Sequence, residues 1–93
     1  MNPTNDAVPT AEAIEATLRA TLAPGILQVI DESADHAGHA GANGLGRGTH
    51  FRVRIGGPAF AGLSRVAQHR LVYDALRHFT DAGLHALAIE IQR

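Results

Sequence analysis

From Thr49 to Ile55 the chain alternates without a fault: Phe51, Val53 and Ile55 point one way, His50, Arg52 and Arg54 the other. A helix would scatter these apolar side chains around its axis, whereas a strand collects them on one side. The segment is therefore expected to be a strand with one buried and one wet face. Such a strand needs neighbours in a sheet and a layer of other elements over its apolar side. With 93 residues in the chain, there is room for one such pair of layers and one core.

The flanking sequence supplies the other elements. Met1 to Pro9 is polar and carries two prolines, so it is expected as a disordered tail, leaving residues 10–93 as a single domain. Thr10 suits an N-cap, Glu12 falls in the first turn, and Ile14, Leu18 and Leu22 form one stripe of a helix that Pro24-Gly25 stops. Ile26 to Asp31 is short, apolar and β-branched, and is expected as a strand. Ser33 to Gly48 contains five glycines and almost nothing to bury. It is expected to be a mobile functional loop that orders on meeting a partner. After Gly56-Gly57-Pro58, residues 59–62 suggest a single helical turn. Ser64 then caps a second long helix, with Leu63 placed for a hydrophobic staple. Val66, Val72, Ala75, Leu76 and Phe79 are its expected apolar face, and Gly83 its C′ residue. Leu84 to Gln92 alternates again, with His85, Leu87, Ile89 and Ile91 on one side. The order predicts an α+β fold, αββααβ, with helices on one face of a three-stranded mixed sheet. The first two strands pair antiparallel, and the third returns through a right-handed crossover to lie parallel.

Composition narrows the function. Eight arginines, no lysine and nine acids give a formal charge of −1, which excludes a sequence-independent coat for polyanions. There is no cysteine, hence no disulfide and no thiolate ligand. No apolar run reaches the ~18 residues of a membrane span, and the first residues lack the pattern of a secretory leader. A cytoplasmic protein away from membranes is expected. No Ser sits in a G-x-S-x-G elbow, and Gly44-Leu45-Gly46-Arg47-Gly48 is not followed by the Lys-Ser/Thr of a phosphate loop. Nothing here argues for an enzyme.

Six histidines in so short a chain are a surplus of the commonest metal-ligating side chain. His36 and His39, spaced His-x-x-His near Asp31, Glu32 and Asp35, can converge on a metal or can be solvated loop residues. His85, at the rim of an apolar face, can be a core-edge histidine held by a carbonyl, or can turn a ring nitrogen outward. His50 and His78 are expected on the surface, with His50, at the foot of the loop, a reserve ligand. Arg65, His69, Arg70 and Arg77 give the second long helix a basic side, and Arg52 and Arg54 add to it from the wet face of the strand. That footprint suits phosphate or an acidic protein, or is a solvated face balanced by Asp74 and Asp81. Tyr73 could add one stacking ring, too few for a nucleic-acid platform.

In sequence order, Asp31-Glu32-Ser33, the His-bearing loop, Thr49-His50-Phe51-Arg52-Val53, Phe60-Ala61-Gly62-Leu63-Ser64-Arg65-Val66, His69-Arg70-Leu71-Val72-Tyr73 and Leu84-His85-Ala86-Leu87-Ala88-Ile89 together resemble the BolA family. The resemblance covers about Ala11 to Ile91 and implies a fold like a class II KH domain. It implies a heterodimer with a monothiol glutaredoxin of the CGFS type, either bridging a shared 2Fe–2S cluster with glutathione or without the cluster. It implies that His85 is a cluster ligand and that a second ligand comes from the loop, where the matching position is His36. His39, three residues on, is the alternative. The thiolates would come from glutaredoxin and glutathione, giving a mixed His/Cys site similar to the Rieske arrangement. The family is also described as transcriptional regulators, which makes DNA contact through Arg65, His69, Arg70 and Tyr73 the second reading. Gly62-Leu63-Ser64-Arg65 lacks the second glycine of a KH-type GXXG clamp, which speaks against RNA binding in the KH manner. A homodimer is left open.

Overall fold

The computed structural model describes residues 9–33 and 49–92. Pro9, counted with the tail above, is buried there. Thr10 takes the extended conformation of an N-cap and its hydroxyl accepts from the Ala13 N–H at 3.1 Å, starting α1 (Ala11–Leu22). Ile14 and Leu18 are wholly buried. The helix ends as Ala23 turns left-handed, with φ 45°, just before Pro24. Strand β1 (Ile26–Asp31) follows, and β2 (His50–Gly56) pairs with it antiparallel from Ile26 against Gly56 to Asp31 against Phe51. A 3₁₀ turn (Pro58–Phe60) leads to Ser64, whose hydroxyl caps α2 (Arg65–Ala75) by accepting from the Ala67 N–H at 3.2 Å. A short α3 (Arg77–Asp81) and Gly83, at φ 118° where a side chain would be strained, precede β3 (Ala86–Ile91).

Strand β3 lies parallel to β2, from His50 against Ala86 to Ile55 against Ile91, so β2 is the middle strand of the order β1-β2-β3. Its Phe51, Val53 and Ile55 meet Ile14, Leu18, Phe60, Val72, Leu76, Phe79 and Leu84 in one core. Burying each large apolar side chain there is worth about 2 kcal/mol. The far ends of β2 and β3 approach so closely that a Cβ on Gly56 would stand 2.4 Å from the Gln92 carbonyl oxygen, which admits no side chain at that position. The α+β architecture with helices on one face of a three-stranded mixed sheet is the one expected.

Three expectations need correction. The second long helix is broken at Leu76, which has φ −105° and ψ 16° and donates to both Val72 and Tyr73 carbonyls. Phe79 then donates to the Leu76 carbonyl at 3.0 Å, a tighter i→i+3 turn that carries Phe79 into the core. Val66 is not on the apolar face: it is 66% exposed. Leu63 is exposed too, because the staple partner position four residues into α2 is the polar Gln68.

Arg52 and Arg54 are also not the open basic patch that alternation suggested. The Arg52 guanidinium bonds Glu32 at 2.9 Å and also Glu90, while Arg54 reaches Glu90 at 2.9 Å and Gln28 at 3.3 Å. These partners come from strands and turns 20 to 38 residues away, so charge along β2 is balanced across the sheet. Hydrogen bonding from Arg52, then from Arg54, holds the Glu90 carboxyl below the usual carboxylate range. A carboxyl depressed in the folded state stabilises the fold above its unfolded pKa, and that stabilisation is lost as pH falls through the folded value. Urea unfolding of the wild type should therefore show stability declining with acid through the carboxylate range. In Glu90→Gln the decline should be shallower, and an unchanged slope would show that the cross-sheet network carries no such linkage.

Candidate metal-ligand site

One hydroxyl organises the end of the sheet where the histidines gather. Ser33, 1% exposed, accepts the Thr49 N–H at 2.8 Å and the His50 N–H at 2.9 Å, and donates to the His50 carbonyl at 3.4 Å. Ser33 itself is set by donating its N–H to the Asp31 carboxylate at 2.9 Å, and Glu32 donates to the His50 carbonyl at 2.8 Å. The Thr49 carbonyl faces the other way and accepts from both His85 (2.7 Å) and Ala86 (3.1 Å). Ser33 and Thr49 flank the glycine-rich segment, so the two points where that segment leaves and rejoins the sheet are bonded to each other. The start of β3 is bonded to the same place.

Two imidazoles meet there. His50 is 7% exposed, with its Nδ1 2.8 Å from the Thr49 hydroxyl. The ring of His85, an exposed residue, lies with its centroid 5.5 Å from that of His50, the planes inclined at 54°. This corrects two expectations. His50 is not a surface residue, since the Ser33–Thr49 junction closes over its strand end. His85 does not simply follow the face of Leu87, because its N–H and that of Ala86 share one acceptor and the regular ladder begins only at Ala86. Sequence reasoning undervalued His50, and the signal available was its position directly beside the loop's return. His36 and His39 lie outside the described residues. His78 is exposed, with its ring 4.1 Å from that of Phe79.

An iron–sulfur centre takes thiolate or imidazole ligands. Among the described residues no group of three or more His, Cys, Asp or Glu could hold a metal, and the chain has no cysteine. Among the described residues, the imidazoles that meet at this end of the sheet are the exposed His85 and His50 beside it. That fits a group whose remaining ligands come from a partner, and does not fit a metal held by these residues alone.

The second candidate surface is on α2. Arg65, Val66, His69, Arg70 and Tyr73 line one shallow face, so the structure brings together all four residues singled out there. Tyr73 is 48% exposed and its hydroxyl donates to the Leu87 carbonyl at 3.2 Å. Arg77 does not join them, being paired with Asp74 at 3.1 Å.

Comparison with known proteins places these features in company. Residues 18–93 match a family described as BolA-like protein. A Sinorhizobium protein described as an uncharacterized protein in the cobS 5' region is 52% identical over 80 residues, 85% of this chain and 85% of that one. Protein BOLA1, chloroplastic, of Arabidopsis thaliana is 45% identical over 80 residues, 85% of this chain and only 50% of the relative. Among solved structures, the BolA domain of SufE1 from Arabidopsis thaliana superposes with a TM-score of 0.77 at 41% identity, covering 88% of each chain. No helix among the described residues is long and apolar enough to cross a membrane.

The junction yields a direct expectation. Ser33→Ala leaves two buried N–H groups without their acceptor, which costs roughly 1–3 kcal/mol. Urea titration should show that loss, and hydrogen exchange should quicken at Thr49, His50 and His85 before the rest of β2. Uniform quickening along β2 would mean that the hydroxyl is no local clamp.

Proposed function

This chain belongs to the BolA-like family, and on that premise we propose that it is an iron–sulfur adaptor, not an enzyme, that docks a monothiol glutaredoxin and contributes imidazole ligands to a shared 2Fe–2S cluster. The observation that carries the reading is the exposed His85 anchored beside His50 on the Thr49 carbonyl. An anchored backbone limits the positions open to the ring, so less ordering is needed when it meets a metal. When bound, the cluster would supply electron-transfer chemistry and iron and sulfide for delivery; glutaredoxin and its glutathione would hold it by thiolates. His85 supplies one nitrogen, and the loop supplies a second from His36 or, alternatively, His39. His50 braces His85 and is the reserve ligand. In this reading the location is cytoplasmic, although a chloroplastic relative means that the fold is not tied to one compartment.

Sequence-selective DNA binding finds less support. The grouping of Arg65, His69, Arg70 and Tyr73 favours it, but Arg52 and Arg54 are spent on Glu32 and Glu90. With so few phosphate contacts left, affinity for DNA at physiological salt should be weak.

The adaptor reading is tested by mixing the protein with a reconstituted CGFS glutaredoxin and glutathione. A one-to-one complex on a sizing column and an altered visible circular dichroism spectrum are expected. His85→Ala should remain folded, because the residue is exposed ahead of the strand, yet lose the spectral change. His36→Ala and His39→Ala then identify the loop ligand. An unchanged spectrum without co-elution of the wild type contradicts the proposal.

A further inference from the structure

The far end of β3 carries a second, unrelated feature. Ala86 and Gln92 donate to the Thr49 and Ile55 carbonyls, so even-numbered residues of this stretch turn their backbone groups toward β2. Leu87, Ile89 and Ile91 therefore turn N–H and C=O out of the sheet, where β3 has no neighbouring strand among the described residues. Tyr73 confirms the direction by donating its hydroxyl to the Leu87 carbonyl. Among the described residues, the N–H and C=O of Ile89 and Ile91 form an open edge, with neither proline nor lysine on β3 to block it.

That edge borders a groove of about 420 Å³ whose other wall is α2 and the turn before it: Leu63, Arg65, Gln68 and His69 face Ile89, Glu90 and Ile91, with the Glu90 carboxylate already held by Arg52 and Arg54. Four of the described arginines, Arg19, Arg52, Arg54 and Arg77, are paired with carboxylates. Arg65 and Arg70, on the exposed flank of α2, make no ion pair among the described residues. Exposed Leu63, Val66 and Tyr73 lie among them.

We infer that the groove between α2 and the β3 edge is a docking site for an extended, acidic segment of a partner protein, which adds to β3 as a fourth strand. The open N–H and C=O groups suit a strand, because a peptide backbone presents acceptors and donors in the matching alternation. Arg65 in the groove, with Arg70 on the adjoining face of α2, selects carboxylates, and Leu63 selects an apolar side chain two residues from the carboxylate, on the same face of the added strand. Nucleic acid fits less well: phosphate cannot satisfy the outward carbonyls, which leaves only base edges to do so, and Arg65 with the neighbouring Arg70 offers few phosphate contacts. A second copy of this chain would bring Glu90, the acid of its own β3, already engaged by Arg52 and Arg54. Ile91 is six residues from His85, roughly 20 Å along a strand. The groove can thus be filled while His85 serves a metal, and the inference does not depend on the metal reading.

The test is an NMR titration of the full chain with a synthetic peptide of about nine residues in which threonine alternates with glutamate and valine in turn. The Ile89 and Ile91 amides should shift and their hydrogen exchange should slow on saturation. Arg65→Ala with Arg70→Ala should weaken binding about tenfold, and lysine in place of the peptide's glutamates should abolish it. Both arginines are exposed, so the variant keeps its fold, and His85→Ala should bind the peptide as well as the wild type does. Unchanged exchange at Ile89 and Ile91 would overturn the inference. So would protection of the same amides by self-association without peptide, or tighter binding of a DNA duplex at physiological salt.

Discussion

Thr49 uses both of its backbone groups at one crossing point. Its N–H is held by the buried Ser33 hydroxyl, and its carbonyl is shared by His85 and Ala86. Through these bonds the end of β1, the start of β2 and the start of β3 are fixed to one another over a few ångströms. Everything that looks functional at this end of the molecule depends on that crossing: the His50 ring, its 5.5 Å approach to His85, and the anchoring of the segment that carries His36 and His39. A serine is well suited to the place, since a single hydroxyl can accept two N–H groups and still donate.

The remainder of the domain serves to hold β2 in the middle. Its inner face is closed by α1 and α2 over Phe51, Val53 and Ile55, and its outer face by carboxylates that neutralise Arg52 and Arg54. An inner face of this kind is insensitive to pH, whereas the outer one is not. Among the described residues, the arginines that make no ion pair, Arg65 and Arg70, both sit on α2. The two ends of β3 are thereby given different characters: an imidazole end, suited to a soft or borderline metal, and an open-edged end beside Arg65, suited to a peptide.

Much of this was legible in the sequence, for local reasons. Thr10 and Ser64 are caps whose partners lie three residues away, and the alternation of Phe51, Val53 and Ile55 is a property of seven neighbouring residues. What could not be read depends on distant groups. The partners of Arg52 and Arg54 are 20 to 38 residues off. The burial of His50 requires Ser33, 17 residues away, and the break at Leu76 involves neither proline nor glycine but the demand that Phe79 reach the core. Val66 fell outside the expected apolar stripe because the helix turns its other flank inward. At the site, alternation leaves His85 open to two placements, and the structure has it exposed; it points to a surface place for His50, a reserve ligand, which is instead buried because the contacts that enclose this strand end come from distant residues.

The adaptor reading turns on whether an imidazole of this chain reaches a partner's metal. Pulsed electron paramagnetic resonance of the reduced cluster, in a complex made with ¹⁵N-histidine incorporated only in this chain, measures that contact directly. A strongly coupled nitrogen whose frequency follows the isotope, and which disappears in His85→Ala, is the predicted result. A spectrum indifferent to the label, or unchanged by the substitution, would contradict it.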